Sequence, residues 1–458
     1  MTTSAAPSLS DLRARVAAGF PRVRADLESL VRIPSISSPS FDQEQMQVSA
    51  EAVAALLRSV GFADTQVLRA TRADGVVSRP AVVARRPAPD GAPTVLLYAH
   101  HDVQPVGPRS EWLTEPFEPT ERDGRLYGRG AADDKAGIAA HLGALRVLGD
   151  DLAVGVTVFV EGEEEIGSPV FVDFLHQYEE LLAADVIVVA DSANWKVGVP
   201  SLTTSLRGLV DCEVEVAVLE HSLHSGIFGG PVLDAPTLLA RLIATLHDDE
   251  GSVAVAGLQV NPEPTVDYDE ADLRADTSVL PGVRFAGTGT FTGRLWTKPA
   301  LSVIGMDVTS IADSSNTIAP SARAKLSLRI APGQDPADAA AALRSHLESH
   351  APFGARVTVV DGELGKPFAA ATDTPAMRLA RQAFADAWGT EPVDIGVGGS
   401  IPFIADLLDV FPDAAILVTG VEDPDSRAHS SNESVDLAEL EKVVLAEALL
   451  LARIVDLR

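Results

Sequence analysis

Residues 94–105 read TVLLYAHHDVQP. The first six, Thr94–Ala99, form a short, continuous apolar run without polar alternation, the pattern of a strand buried on both faces. His100, His101 and Asp102 follow at once. Two more runs have the same build. Gly155–Val160 (GVTVFV) leads into EGEEEIGS, residues 161–168, and Asp185–Ala190 (DVIVVA) leads into Asp191. Helical stretches at Ala136–Leu148 and Val170–Leu182 separate them. Such alternation predicts an α/β domain with a largely parallel sheet flanked by helices.

Upstream, Leu9–Arg32 has apolar residues at helical spacing, with a kink or break expected at Pro21. Gln43–Val60 reads as an amphipathic helix closed by Gly61. Downstream of Thr204 the style changes. Val210–Leu219, Leu301–Thr309 and Ala322–Ile330 alternate as half-exposed strands do, and Arg356–Val360 is a last strand. Asp234–His247 and Pro336–His350 are helical. The order β-α-β-β-α-β predicts an inserted α+β open-faced sandwich. Asp248–Phe291 has weak periodicity and no assigned element. From Pro367 the α/β style returns, with a helix at Thr374–Trp388, a glycine cluster at Gly396–Ser400 and a strand at Ala415–Val418. The expected boundaries are 1–204 and 364–458 for the two parts of one domain, and 205–363 for the insertion.

The chain has 458 residues and a formal net charge of −29. Nucleic acid and anionic membrane repel so acidic a chain, so neither is an expected partner. The lone cysteine, Cys212, permits no intrachain disulfide and reads as a packed strand residue. Met1–Asp11 lacks the basic and apolar segments of a secretory signal, and no apolar run approaches the ~18 residues of a membrane span. A cytoplasmic protein is expected.

In open α/β sheets, ligands gather beyond the carboxyl ends of the strands. His100, Glu164, Glu165 and Asp191 fall at such ends, Asp133-Asp134 lies in LYGRGAADDK (residues 126–135), and His429 follows the Ala415–Val418 strand. Singly, each has a plain structural explanation: a hydrogen-bonded histidine, a solvated acidic face, a helix N-cap before Lys135–Leu148. Jointly, histidines and carboxylates suit zinc or a similar divalent ion. More carboxylates than one zinc needs suggest two metals sharing a bridging ligand.

HHDVQP, GRGAADDK, EGEEEIGS and the WLTEPF of residues 112–117 together resemble the dizinc metallopeptidase family of carnosinases, bacterial dipeptidases, aminoacylases, succinyl-diaminopimelate desuccinylases and carboxypeptidase G. The likeness runs from His100 to His429 and is strongest to the carnosinase and dipeptidase branch. It implies a catalytic domain with an inserted lid or dimerisation domain. It implies two zinc ions per subunit, for which manganese or cobalt could substitute: His100 and Asp191 on one, Glu165 and His429 on the other, Asp133 bridging both. Asp102 orients His100, Glu164 is the general base acting on a bridging water, and the Asp133–Asp134 peptide is cis. His101 points away. His224, in HSLHSG (residues 221–226), matches a lid histidine that serves the partner subunit's active site and implies a homodimer. Arg329, Asn316, Gly399 and Ser400 match positions that bind the substrate carboxylate. The implied activity is hydrolysis of a dipeptide amide bond. An N-acyl or N-succinyl amino acid deacylase shares every metal residue, and an inactive binding relative would lack Glu164 or His429, which are present here. A magnesium phosphohydrolase would want a glycine-rich phosphate loop with lysine, absent from this chain.

Overall fold

The computed structural model describes residues 7–89, 91–399 and 402–457. The chain divides into two compact units, one of residues 1–204, 370–395 and 406–458, the other of residues 205–369 and 396–405.

The first unit is built on a mixed sheet in the spatial order Asp64–Leu68, Ala81–Arg86, Gly155–Glu161, Thr94–His100, Val186–Val189, Ala415–Val418, Ser201–Leu206. The four strands from Gly155–Glu161 to Ala415–Val418 run parallel, and the flanking pairs are antiparallel. The parallel strands are the apolar runs of the sequence, and all seven residues of Gly155–Glu161 are buried. Their register keeps the carboxyl ends level: His100 lies opposite Glu161, Tyr98 opposite Val189, and Val189 opposite Val418. Every loop that leaves these ends therefore emerges on one edge of the sheet, which is how residues far apart in sequence come to share a site.

The helices Leu9–Val31, Lys135–Leu148, Pro375–Trp388 and Leu437–Arg453 bury their apolar stripes in one continuous core with the sheet. The first runs unbroken through Pro21. Pro21 removes the hydrogen bond to the Ala17 carbonyl, but both residues lie on the exposed face, where that carbonyl is open to solvent. A buried pair joins sheet to helix: His141 Nε2 contacts the Tyr98 carbonyl at 3.1 Å, and Nδ1 lies 2.9 Å from the Glu447 carboxylate.

The second unit has an antiparallel sheet in the order Ala300–Asp307, Ser321–Ile330, Gly208–Ala217, Arg356–Gly365. Helices Ala235–Ala244 and Pro336–Ser349 share its core, and Cys212 is buried in the same cluster. The periodicity that gave no assignment over Asp248–Phe291 corresponds to extended and turn segments around one short helix, Glu270–Thr277. Gly396–Ala405 also belongs to this unit, bound through Arg207, whose backbone N–H donates to the Val397 carbonyl at 3.2 Å and whose Nε donates to the Gly398 carbonyl at 3.0 Å. No helix among the described residues is long and apolar enough to cross a membrane.

Candidate metal centre

The centre lies at the carboxyl edge of the parallel strands. His100 ends the strand Thr94–His100 with its side chain fully buried. Its Nδ1 lies 3.1 Å from the Asp102 backbone carbonyl, so Nδ1 is the donor and Nε2 is left free to bind. Nε2 lies 3.0 Å from Asp133 Oδ1 and 3.8 Å from Asp191 Oδ1. On the other side of Asp133, Oδ2 lies 2.9 Å from His429 Nε2, which is itself 3.2 Å from Glu165 Oε2. One carboxylate thus faces two sets of donors: His100, Asp133 and Asp191, and Asp133, Glu165 and His429.

Both sets fit a divalent ion. Four-coordinate zinc with ligands at about 2.0–2.2 Å needs donor atoms about 3.3–3.6 Å apart, and imidazole with carboxylate is a chemically suitable donor set. Glu165 Oε2 is buried and accepts no hydrogen bond although His429 is at its side, as expected of two atoms aimed at a common point. The field favours positive charge. His429 is pushed up to about 11, first by its hydrogen bond to Asp133 and then by Glu165. Burial works to raise the Asp133 carboxyl, but hydrogen bonds from His100 and His429 hold it below the usual range.

The rest of the acidic run separates by what each carboxylate touches. Glu165 Oε1 accepts from the Gln104 N–H at 2.9 Å, which turns Oε2 toward Asp133. Glu163 accepts from the N–H groups of Arg79 and Val170 and braces the loop. Glu161 accepts from the Tyr98 hydroxyl at 2.6 Å. The Glu164 carboxylate accepts no hydrogen bond from the described residues, and burial, then the Asp191 charge, raise its pKa well above the usual range. Asp102 holds this loop directly: its carboxylate accepts from the N–H of Glu164 at 3.2 Å and of Glu165 at 3.0 Å. The resemblance implied that Asp102 orients His100. Its backbone carbonyl lies 3.1 Å and its Oδ1 3.4 Å from His100 Nδ1, and the same carboxylate accepts from the N–H groups of the two glutamates.

His101 turns away, its Nε2 2.8 Å from the Pro80 carbonyl, and burial lowers its pKa to about 4. The Asp133–Asp134 peptide is cis. Asp134 accepts from the N–H of His100 and of Gly137, capping the helix that starts at Lys135.

Glu433 was not singled out from sequence, yet it holds Asp133 in place. It is fully buried and accepts from Arg129 Nη1 at 2.6 Å and from the N–H groups of Gly130, Ala132 and Asp133. A glutamate among Ser and Asn has no periodicity to mark it, and only its nearness to His429 hinted at a role. Arg125 braces the same loop through Asp423 and Ser434.

Among the described residues, the candidates of the inserted unit form no comparable cluster. His224 is exposed, and its Nδ1 accepts from the Gly226 N–H at 3.0 Å, which leaves Nε2 as a donor. Asn316 is next to it, its backbone carbonyl accepting from Ser225 N–H at 2.9 Å. Arg329 lies on the strand Ser321–Ile330, opposite Leu209 and Ala300. Its charge reaches Arg207, a buried arginine that sequence reading missed, whose pKa is lowered to about 10 by burial first and Arg329 second. A Cβ at Gly398 would lie 2.9 Å from the Arg207 guanidinium and 3.0 Å from the Leu295 carbonyl oxygen, so the turn passes close to both. Among the described residues, nothing lies within 4 Å of where a Cβ at Gly399 would stand. Ser400 lies outside the described residues.

Comparison with known proteins agrees with this geometry. The sequence pattern of peptidase family M20/M25/M40 matches residues 96–453. A cysteinylglycine-S-conjugate dipeptidase of Corynebacterium striatum is 36% identical, over 93% of this chain and 94% of that protein. The β-Ala-His dipeptidase of Rattus norvegicus is 30% identical over 75% of this chain and 73% of its own. Among solved structures, human carnosine dipeptidase 1 superposes with a TM-score of 0.75 at 25% identity, covering 98% of this chain and 100% of the other. Dug1p of Saccharomyces cerevisiae gives 0.76 at 22% identity, with 99% of each chain covered. The chain therefore belongs to peptidase family M20/M25/M40, as a metallopeptidase of its dipeptidase branch.

Proposed function

We propose that this enzyme hydrolyses the amide bond of dipeptides, including small β-alanyl or cysteinyl substrates, at a centre holding two divalent ions, zinc by preference and manganese or cobalt in its place. The observation that carries the reading is Asp133, whose two oxygens face separate sets of histidine and carboxylate donors. His100 and Asp191 would hold one ion, Glu165 and His429 the other. Two such ions would bring the pKa of a shared water toward neutrality and polarise the scissile carbonyl.

Glu164 takes the proton of the attacking water and delivers it to the leaving amine. Its carboxylate is suited to that work because no donor among the described residues competes for it, while Asp102 fixes its backbone. His224, with Nε2 as donor, serves the oxyanion. In this reading it does so in the partner's site, so the working form is a homodimer, in the cytoplasm. Arg329, Asn316, Gly399 and Ser400 receive the substrate carboxylate, with Arg207 adding charge behind the glycine turn.

The test is a panel of dipeptides, N-acetyl amino acids and N-succinyl amino acids, given to chelated protein with and without zinc or manganese. Metal-restored cleavage of dipeptides is expected. Cleavage of the acyl amino acids alone would make the enzyme a deacylase, and absence of turnover despite bound metal would make it a binding relative.

A further inference from the structure

Most carboxylates around the centre are already engaged. Asp102, Asp134, Glu163 and Glu433 accept from backbone donors, and Asp133 and Glu165 face histidine. Two accept no hydrogen bond and form no ion pair among the described residues. One is Glu164, the base of the proposed reaction. The other is Glu422.

Glu422 is held in place through its backbone. It follows the strand Ala415–Val418, the parallel neighbour of the strand that leads to Asp191. Its N–H donates to the Ser192 carbonyl at 3.4 Å, and its own carbonyl accepts from the Asn194 N–H at 2.8 Å. Gly420 lets the two segments touch: a Cβ there would lie 1.4 Å from the Ser192 carbonyl oxygen. The half-buried Glu422 side chain feels the charges of Asp133, Asp191, Glu433 and His429. A carboxylate so placed, without a partner and among other acids, is a site for a cation. It is not a member of either donor set around Asp133.

If the substrate is a dipeptide, it brings a suitable cation. Its free ammonium is two bonds from the scissile carbon in an α-amino acid and three in a β-amino acid, so it must sit just beside the centre that attacks that carbon. We propose that Glu422 receives the free amino group of the substrate and is the residue that makes this enzyme select peptides with an unblocked N-terminus. The proposal rests on the dipeptidase reading above. It adds a specificity residue that the metal ligands, shared with deacylases, do not supply.

The test uses Glu422→Gln, which keeps shape and removes charge, and Glu422→Asp, which keeps charge. Kinetics are measured on a dipeptide and its N-acetyl form. Binding is measured by calorimetry on a phosphinate dipeptide analogue, with and without N-acetylation, and metal content is measured on each protein. Losing one charge-assisted hydrogen bond should cut the preference for the free amine by tens to about a hundredfold in Glu422→Gln, in both kcat/KM and binding. Metal content should be unchanged, and Glu422→Asp should retain most of the preference. An undiminished preference in Glu422→Gln would overturn the assignment, as would loss of a metal ion from it, which would place Glu422 among the metal ligands. Failure of the wild type to cleave any dipeptide would instead overturn the dipeptidase reading itself, and this proposal with it.

Discussion

The metal centre and the candidate residues of the inserted unit are built in opposite ways. In the first unit Asp102, Asp134, Glu163, Glu165 and Glu433 accept from backbone N–H groups, and the loops after the parallel strands leave one level edge of the sheet. In the second, His224 and Asn316 are exposed side by side, while Arg329 pairs in register with other parts of its own sheet. The first region is preorganised on its own. The second presents exposed donors which, under the function proposed above, act on a substrate or in a second chain. Preorganised groups belong to bond-breaking, where displacement by an ångström is costly, and exposed groups to recognition and closure.

The comparison predicts where variants will do most harm. Glu164→Ala should keep both metal ions and lose about 10²–10⁴-fold in kcat, the usual contribution of a general base. Normal turnover in that variant would remove Glu164 from the mechanism. Glu433→Ala should cost about 3–5 kcal/mol in denaturant unfolding, because it strands the buried Arg129 guanidinium and three backbone donors. A loss below about 1 kcal/mol, the range of an exposed pair, would show that this loop is not held as described.

His224→Ala should behave as a change in the other region: unfolding and metal content unchanged, kcat reduced about 10²–10³-fold as for a lost oxyanion donor. Mixed dimers of His224→Ala and Glu164→Ala subunits should regain part of the activity if the histidine works across the dimer, and none if it works within its own chain.

The smallest effect concerns pH. Burial opposes charge on His141, but the Glu447 carboxylate outweighs it, so the histidine's pKa is raised on folding. Its contribution is then complete below the unfolded value of about 6.5 and fades as pH rises through the folded value. The stability gap between wild type and Glu447→Gln should be about 1–3 kcal/mol at pH 6 and shrink by pH 9. A gap that grows with pH would mean His141 is neutral in the fold.

The same division explains what could be read from sequence. Buried parallel strands such as Gly155–Glu161 carry an unbroken apolar run, and their ends mark where His100, Glu165 and Asp191 emerge, so the sheet and the centre were legible together. Glu433, Arg207 and Glu422 were not. Each acts through a tertiary contact, with a turn, a glycine carbonyl or a neighbouring strand, that leaves no local pattern. Pro21 shows the reverse case: a strong local rule gave way because the carbonyl it frees lies on the exposed face.

The central claim is one centre for two ions, joined by Asp133. It is tested most directly by titrating the chelated protein with zinc in a calorimeter, wild type beside Asp133→Ala. The account predicts two ions per wild-type chain and loss of tight binding at both sites in the variant. A single ion in the wild type, or two ions still bound tightly without Asp133, would contradict it.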